Sequence, residues 1–89
     1  MNVEFDRSFL KSLEKTRDSK VFPKVLRFIQ QAEKARNLHH LKQVKKLSGY
    51  KSYYRIRLGD YRLGFEEINS NTIRIIILVH RKDFYRKFP

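Results

Sequence analysis

Tyr53-Tyr54-Arg55-Ile56-Arg57-Leu58-Gly59-Asp60-Tyr61-Arg62-Leu63 is two short alternating runs around a Gly-Asp pair, the pattern of a tight β-hairpin. Strand side chains alternate between faces, so Arg55 and Arg57 share one face while Ile56 and Leu58 point the other way. The guanidinium groups are thus carried on a rigid strand. A second basic cluster, His80-Arg81-Lys82, follows the most apolar strand. Such a surface suits the holding of a polyanion and the stabilisation of charge developing on phosphate.

Outward from the hairpin, three strands are expected at about Tyr53–Leu58, Tyr61–Ile68 and Thr72–His80, the second link being Asn69-Ser70-Asn71. Arg74 interrupts a two-sided apolar run from Ile73 to Val79, as in a central strand buried on most of both faces. Upstream, Val3-Glu4-Phe5 alternates as a short first strand. Asp6 is placed to cap a helix carrying Phe9, Leu10 and Leu13 at helical spacing. Asp18-Ser19 caps a second helix with the stripe Val21, Val25, Phe28, Ile29 and Ala32, running through Arg36 with Asn37 at its exit; Pro23 lies in its first turn. Residues 38–49 read as a basic connector. Arg81, Tyr85 and Phe88 fall at the spacing of a short terminal helix within 83–88. Strand, two helices, then an antiparallel sheet is an α+β pattern, with the helices on one face and the other face open and polar.

The 89 residues suffice for one small domain spanning 1–89. The formal charge of +12, from 21 Lys+Arg against 9 Asp+Glu, implies an acidic partner: nucleic acid, an anionic membrane surface or an acidic protein. There are no cysteines, hence no disulfide framework and no cysteine zinc site, and His39, His40 and His80 lack metal-ligand spacing, so no metal is expected. The longest apolar run, Ile75–Val79, is too short to span a bilayer. The first six residues have neither a basic leader nor an apolar core, so a soluble cytoplasmic protein is expected.

Leu47-Ser48-Gly49, Tyr54-Arg55-Ile56-Arg57-Leu58-Gly59-Asp60-Tyr61-Arg62 and Val79-His80-Arg81-Lys82-Asp83-Phe84-Tyr85 together resemble the RelE/ParE toxin superfamily, and most resemble its RelE branch of ribosome-dependent mRNA endoribonucleases. The Gly-Asp-Tyr-Arg-Leu turn is shared with the ParE branch; the His-Arg-Lys-Asp-x-Tyr ending is more RelE-like. The resemblance implies a toxin paired with an acidic antitoxin, acting with the ribosome on mRNA, with no small-molecule cofactor and no membrane. Its reaction is metal-free attack of a 2′-hydroxyl on the neighbouring phosphate, leaving a cyclic phosphate and a 5′-hydroxyl. By motif position the family's active site falls on Arg55 and Arg57, Arg62, Arg81 and Tyr85.

The residue chemistry is compatible, since the planar fork of arginine binds phosphate oxygens bidentately and stays charged. One departure matters. The RelE type member has lysines where this chain has Arg55 and Arg57. Arginine, with a pKa above ~12, is a poor general base. The base therefore lies elsewhere, with Tyr85 and His80 as candidates, or the ribosome supplies more of the catalysis.

Each residue also has a plainer reading. Arg55 and Arg57 can be a solvated strand face, Arg62 a cross-strand partner of Glu66 or Glu67, His80 a satisfied half-buried histidine, and Tyr85 an apolar anchor beside Phe84 and Phe88. Lys42, Lys45, Lys46 and Lys51, with Lys82, read as an RNA-contacting patch. A ParE-like gyrase inhibitor and a non-catalytic RNA- or ribosome-binding module remain as alternatives.

Overall fold

The computed structural model describes residues 1–89. In chain order it contains β1 (Asn2–Phe5), α1 (Arg7–Lys15), α2 (Phe22–Lys34), β2 (Val44–Lys46), β3 (Tyr53–Leu58), β4 (Tyr61–Asn69), β5 (Thr72–His80) and α3 (Phe84–Lys87). The strands form one sheet of order β1-β5-β4-β3-β2, giving the expected α+β layering. β2 to β5 are an antiparallel meander. β1, separated from β2 by both helices, enters at the opposite edge and pairs parallel with β5 over Thr72–Ile75, which makes the sheet mixed.

Local chemistry sets the helix starts. The Asp6 carboxylate accepts from the Ser8 N–H at 3.0 Å and from its hydroxyl at 2.5 Å, so β1 turns directly into α1. Those bonds hold the Asp6 carboxyl below the usual carboxylate range. Asp18 caps a single turn at Ser19–Val21, which leads into α2 with Pro23 in its first turn. α2 ends at Lys34, short of the expected Arg36, because Ala35 is already extended. Asn37 does not end it; its side chain accepts from the His39 N–H and caps the next short turn, Leu38–His40.

The connector 38–49 differs from expectation. It contains the edge strand β2, held because Val44 pairs opposite Ile56 and packs against the core. Three residues are too few to show a period in sequence.

The helices bury Phe9, Val25, Phe28 and Ala32 against Ile56, Leu58, Leu63, Phe65, Ile73, Ile75 and Leu78 of the sheet. The opposite face is not fully open, contrary to the sequence reading. Phe84 of α3 and Phe88, which caps its end, bury with Leu47 over Tyr53, Ile76, Ile77 and Val79. Phe88 lies flat on Gly64, where an added Cβ would stand 2.8–2.9 Å from three ring carbons. Only glycine in β4 permits that approach.

β5 carries an irregularity with a functional consequence. Gly64 pairs with Ile77 but Phe65 pairs with Ile75, leaving Ile76 as an extra residue. The core face therefore passes from Ile73 and Ile75 to Leu78, a change of phase. No helix is long and apolar enough to cross a membrane.

Candidate active site on the uncovered half of the sheet

The hairpin turn positions the arginines. Leu58 pairs with Tyr61, leaving Gly59 and Asp60 as a two-residue loop, and Gly59 has φ of 64°, which glycine adopts without strain. Arg57 then sits opposite Arg62, and Arg55 opposite Gly64, all on the face away from α1 and α2. Arg62 donates through one terminal nitrogen to the carbonyls of Gly59 and Tyr61, both at 2.9 Å. That anchors the side chain and leaves its Nε and other terminal nitrogen free. The sequence alternative of a pair with Glu66 or Glu67 is not formed.

Two further groups come from the chain end. The Arg81 N–H donates to the Asp60 carbonyl at 2.8 Å, tying the exit of β5 to the hairpin turn. Its side chain stands 3.9 Å from the Asp60 carboxylate, both well exposed, so this pair holds it only loosely. α3 brings Tyr85 across the sheet, where its hydroxyl accepts from Arg55 Nε at 3.2 Å. Arg55 is buried, 7% exposed, and has no carboxylate partner.

The electrostatics follow. Burial, and then the charges of Arg57, Arg55 and Arg81, depress the Arg62 pKa from the usual arginine value. Arg62 remains a cation at neutral pH. Its depression registers burial first and the neighbouring guanidinium charges second, and a bound anion would offset the latter. No carboxylate is within ion-pair distance of Arg55, Arg57 or Arg62.

Arg55, Arg57, Arg62, Arg81 and Tyr85 are therefore brought together. His80 is not. The extra residue at Ile76 puts it on the helix side with Leu78; its ring meets Tyr61 edge-on at 5.6 Å, and Nδ1 accepts from the Lys82 N–H at 3.2 Å. Among the lysines, Lys45 pairs opposite Arg55 and extends the arginine face to the sheet edge. Lys46 alternates to the other face beside Tyr54, and Lys42 lines a cleft with Lys34 and His40 by the end of α2. Lys51 and Lys82 are exposed in turns.

Two features escaped the sequence reading. The Lys24 ammonium lies over Gly59, 2.9 Å from where a Cβ would be, adding a cation beside the hairpin; nothing in its sequence surroundings marked it. On the reverse of the molecule, Phe5, Leu10, Phe22 and Leu26 are exposed around a wholly apolar cleft of about 510 Å³ between α1 and α2. Its signal was present, since the apolar arcs of both helices are wider than one core requires.

A family model described as the ParE toxin of type II toxin–antitoxin system, parDE, matches residues 3–85. Toxin RelE3 of Methanocaldococcus jannaschii is 37% identical over 90 residues, covering 100% of each chain. The fold superimposes on a chain of the RelB–RelE antitoxin–toxin complex from Methanococcus jannaschii with a TM-score of 0.79 and 34% identity, over 97% of this chain and 99% of that one. It also matches the archaeal RelE–RelB complex from Pyrococcus horikoshii OT3, with a TM-score of 0.68 and 26% identity over 90% and 93% of the two chains.

Proposed function

The chain belongs to the RelE/ParE superfamily and is a toxin of a toxin–antitoxin system, and on that premise we propose that it is a ribosome-dependent endoribonuclease that cuts mRNA. The observation that carries this reading is the set of arginines without acidic partners, Arg55, Arg57 and Arg62, gathered beside the Tyr85 hydroxyl.

In the reaction, the 2′-hydroxyl loses its proton and its oxygen bonds to phosphorus. The bond from phosphorus to the 5′-oxygen breaks, and that oxygen takes a proton. The products are a 2′,3′-cyclic phosphate and a 5′-hydroxyl, a course that needs no metal. Arg57 and the free nitrogens of Arg62 stabilise the charge that builds on the phosphate oxygens, with Arg81 at the rim. Because the Tyr85 oxygen accepts from Arg55, its own proton points elsewhere and can be directed at the phosphate or the leaving oxygen. His80 faces away from the arginines, so proton removal falls to Tyr85 or to a group of the ribosome. Message held by ribosomal RNA would gain in-line alignment, a positioning effect of up to ~7–11 kcal/mol.

The ribosome, mRNA and an acidic antitoxin are the proposed partners, in the cytoplasm. The antitoxin would neutralise the basic face and cover the apolar cleft between α1 and α2, since the solved relatives are toxin–antitoxin complexes. The test is primer extension on a translated mRNA with and without the protein. Cuts inside codons that need the ribosome support the proposal; efficient, specific cutting of naked mRNA at low concentration refutes the ribosome requirement. The ParE description of the matching family favours a second reading, gyrase inhibition, for which intact message and trapped, cleaved DNA–gyrase complexes are the expected result.

A further inference from the structure

We propose that the cleft between α1, the end of β5 and α3 binds a nucleoside phosphate, forming an RNA-contact site on the opposite side of β5 from the arginines. It does not depend on the arginine face being a nuclease.

The cleft encloses about 370 Å³, within the ~300–1,000 Å³ common for small-ligand sites. Ser8, Lys11, Ser12 and Lys15 reach it from one stripe of α1, at spacings of three and four residues. Lys87 of α3 lines it too. These three lysines are exposed and none forms an ion pair. Asp83, the one carboxylate lining the cleft, is held by Arg86 at 2.6 Å. Three free ammonium groups around a small concavity match the charge of a phosphate.

The aromatic pair Tyr61 and His80 also lines the cleft. Base–aromatic stacking tolerates any base, because each has a π-face. The Lys82 N–H is already donated to His80 Nδ1, so in the neutral imidazole the ring hydrogen sits on Nε2 as a donor. His80 is thereby given a use that its distance from the arginines denies it there.

An acidic peptide adding as a strand to β5 is the rival occupant, and the backbone argues against it. β1 stops pairing at Ile75, but α1 already covers part of the edge beyond. The Ser8 hydroxyl, whose single proton is shared with Asp6, lies 2.6 Å from the Ile76 carbonyl oxygen, and the Ser12 hydroxyl accepts from the Leu78 N–H at 3.0 Å. A strand template needs those groups free.

The experiment is an NMR titration of the full chain, following the Tyr61 and His80 ring resonances. The probes are adenosine monophosphate, an uncleavable 2′-O-methyl RNA hexamer, inorganic phosphate and hexaglutamate. The expected result is saturable shifts with a nucleotide probe, weakened about tenfold in a Lys11→Ala/Lys15→Ala variant and retained in Arg57→Ala. The lysine variant should melt as wild type, since alanine favours an exposed helix position. Saturation by the monophosphate marks a free nucleotide as sufficient, and response to the hexamer alone marks one residue of an RNA strand; either supports the site. Absent shifts, equal binding by the lysine variant, an equal response to inorganic phosphate, or tighter binding of hexaglutamate would each overturn it.

Discussion

Gly64→Ala should loosen the candidate active site without touching a charged residue. The new Cβ would stand 2.8–2.9 Å from three carbons of the Phe88 ring, against an ordinary contact of ~3.5–4.0 Å. The ring must retreat by roughly 0.6–1 Å. It has little room, being 2% exposed and packed against Phe84 and Tyr53 with ring centroids 5.4 and 5.5 Å away. Overpacking of this kind costs ~1–3 kcal/mol. Replacing a strand glycine returns ~0.5–1 kcal/mol of backbone entropy. The difference is a net loss centred near ~1 kcal/mol and no more than about 2.5 kcal/mol, with the melting temperature lower by roughly 4–8 °C for each kcal/mol in a domain of this size. Activity should fall further than stability. Phe88 is an anchor of the single-turn helix that carries Tyr85, and a shift of about 1 Å takes the 3.2 Å Arg55–Tyr85 contact out of hydrogen-bond range, a misplacement that can slow a reaction ~100-fold. The assays are thermal denaturation and single-turnover cleavage of ribosome-bound message. Gly64→Ala/Phe88→Leu, which removes the clashing ring atoms, should recover part of both losses. Wild-type melting and cleavage in Gly64→Ala, or no recovery in the double variant, would refute the reasoning.

Arg57→Ala and Arg81→Ala remove exposed side chains and should change stability by less than about 0.5 kcal/mol, while cleavage falls roughly 100- to 1,000-fold; full toxicity of both would show the assignment to be wrong. Arg62→Ala should lose cleavage similarly but also about 1 kcal/mol of stability by denaturant titration, because two hydrogen bonds to the hairpin are lost and repulsion from its arginine neighbours is relieved. Tyr85→Phe keeps the ring and removes the hydroxyl, so cleavage should slow with ribosome binding preserved in a pelleting assay; an unchanged rate excludes Tyr85 from proton transfer. Leu26→Glu, at a position 56% exposed in the apolar cleft, should weaken antitoxin binding by calorimetry while leaving cleavage intact. For Asp6, the folded-state pKa is depressed by the bonds from Ser8, so its stabilisation is present above the unfolded value near ~3.9 and is lost as pH falls through the folded value. Melting temperature should therefore drop more steeply below about pH 4 in wild type than in Asp6→Asn, which keeps a capping oxygen without the charge; parallel curves would contradict this.

Local rules were strongest where one residue type determines a backbone choice. Asp6 before Ser8, Asp18 before Lys20, Pro23 at the helix start and Gly59-Asp60 between alternating runs each announce their element, because a cap or a turn depends on neighbours within a few residues. The same locality makes Arg55 and Arg57 share a face and places Arg62 across from Arg57 once the two-residue turn is granted. That is why most of the arginine cluster was readable from the chain alone.

What depended on distant pairing was not readable. Ile73 to Val79 is apolar at nearly every position, so no period in it reveals that Ile76 is extra; only pairing against β4 shows the change of phase that turns His80 away from the arginines. β1 lies beside β5 through contacts some seventy residues apart in sequence, which no local pattern encodes. Tyr85 reaches Arg55 because Phe88 finds a flat bed on Gly64, a match between two residues that are each unremarkable in sequence. The chain by itself determined the elements, the charge and the face on which the guanidinium groups stand, since these follow from short-range sterics and composition. The tertiary structure decided which of the candidate groups meet, because side-chain proximity across a sheet is set by register and by packing at long range.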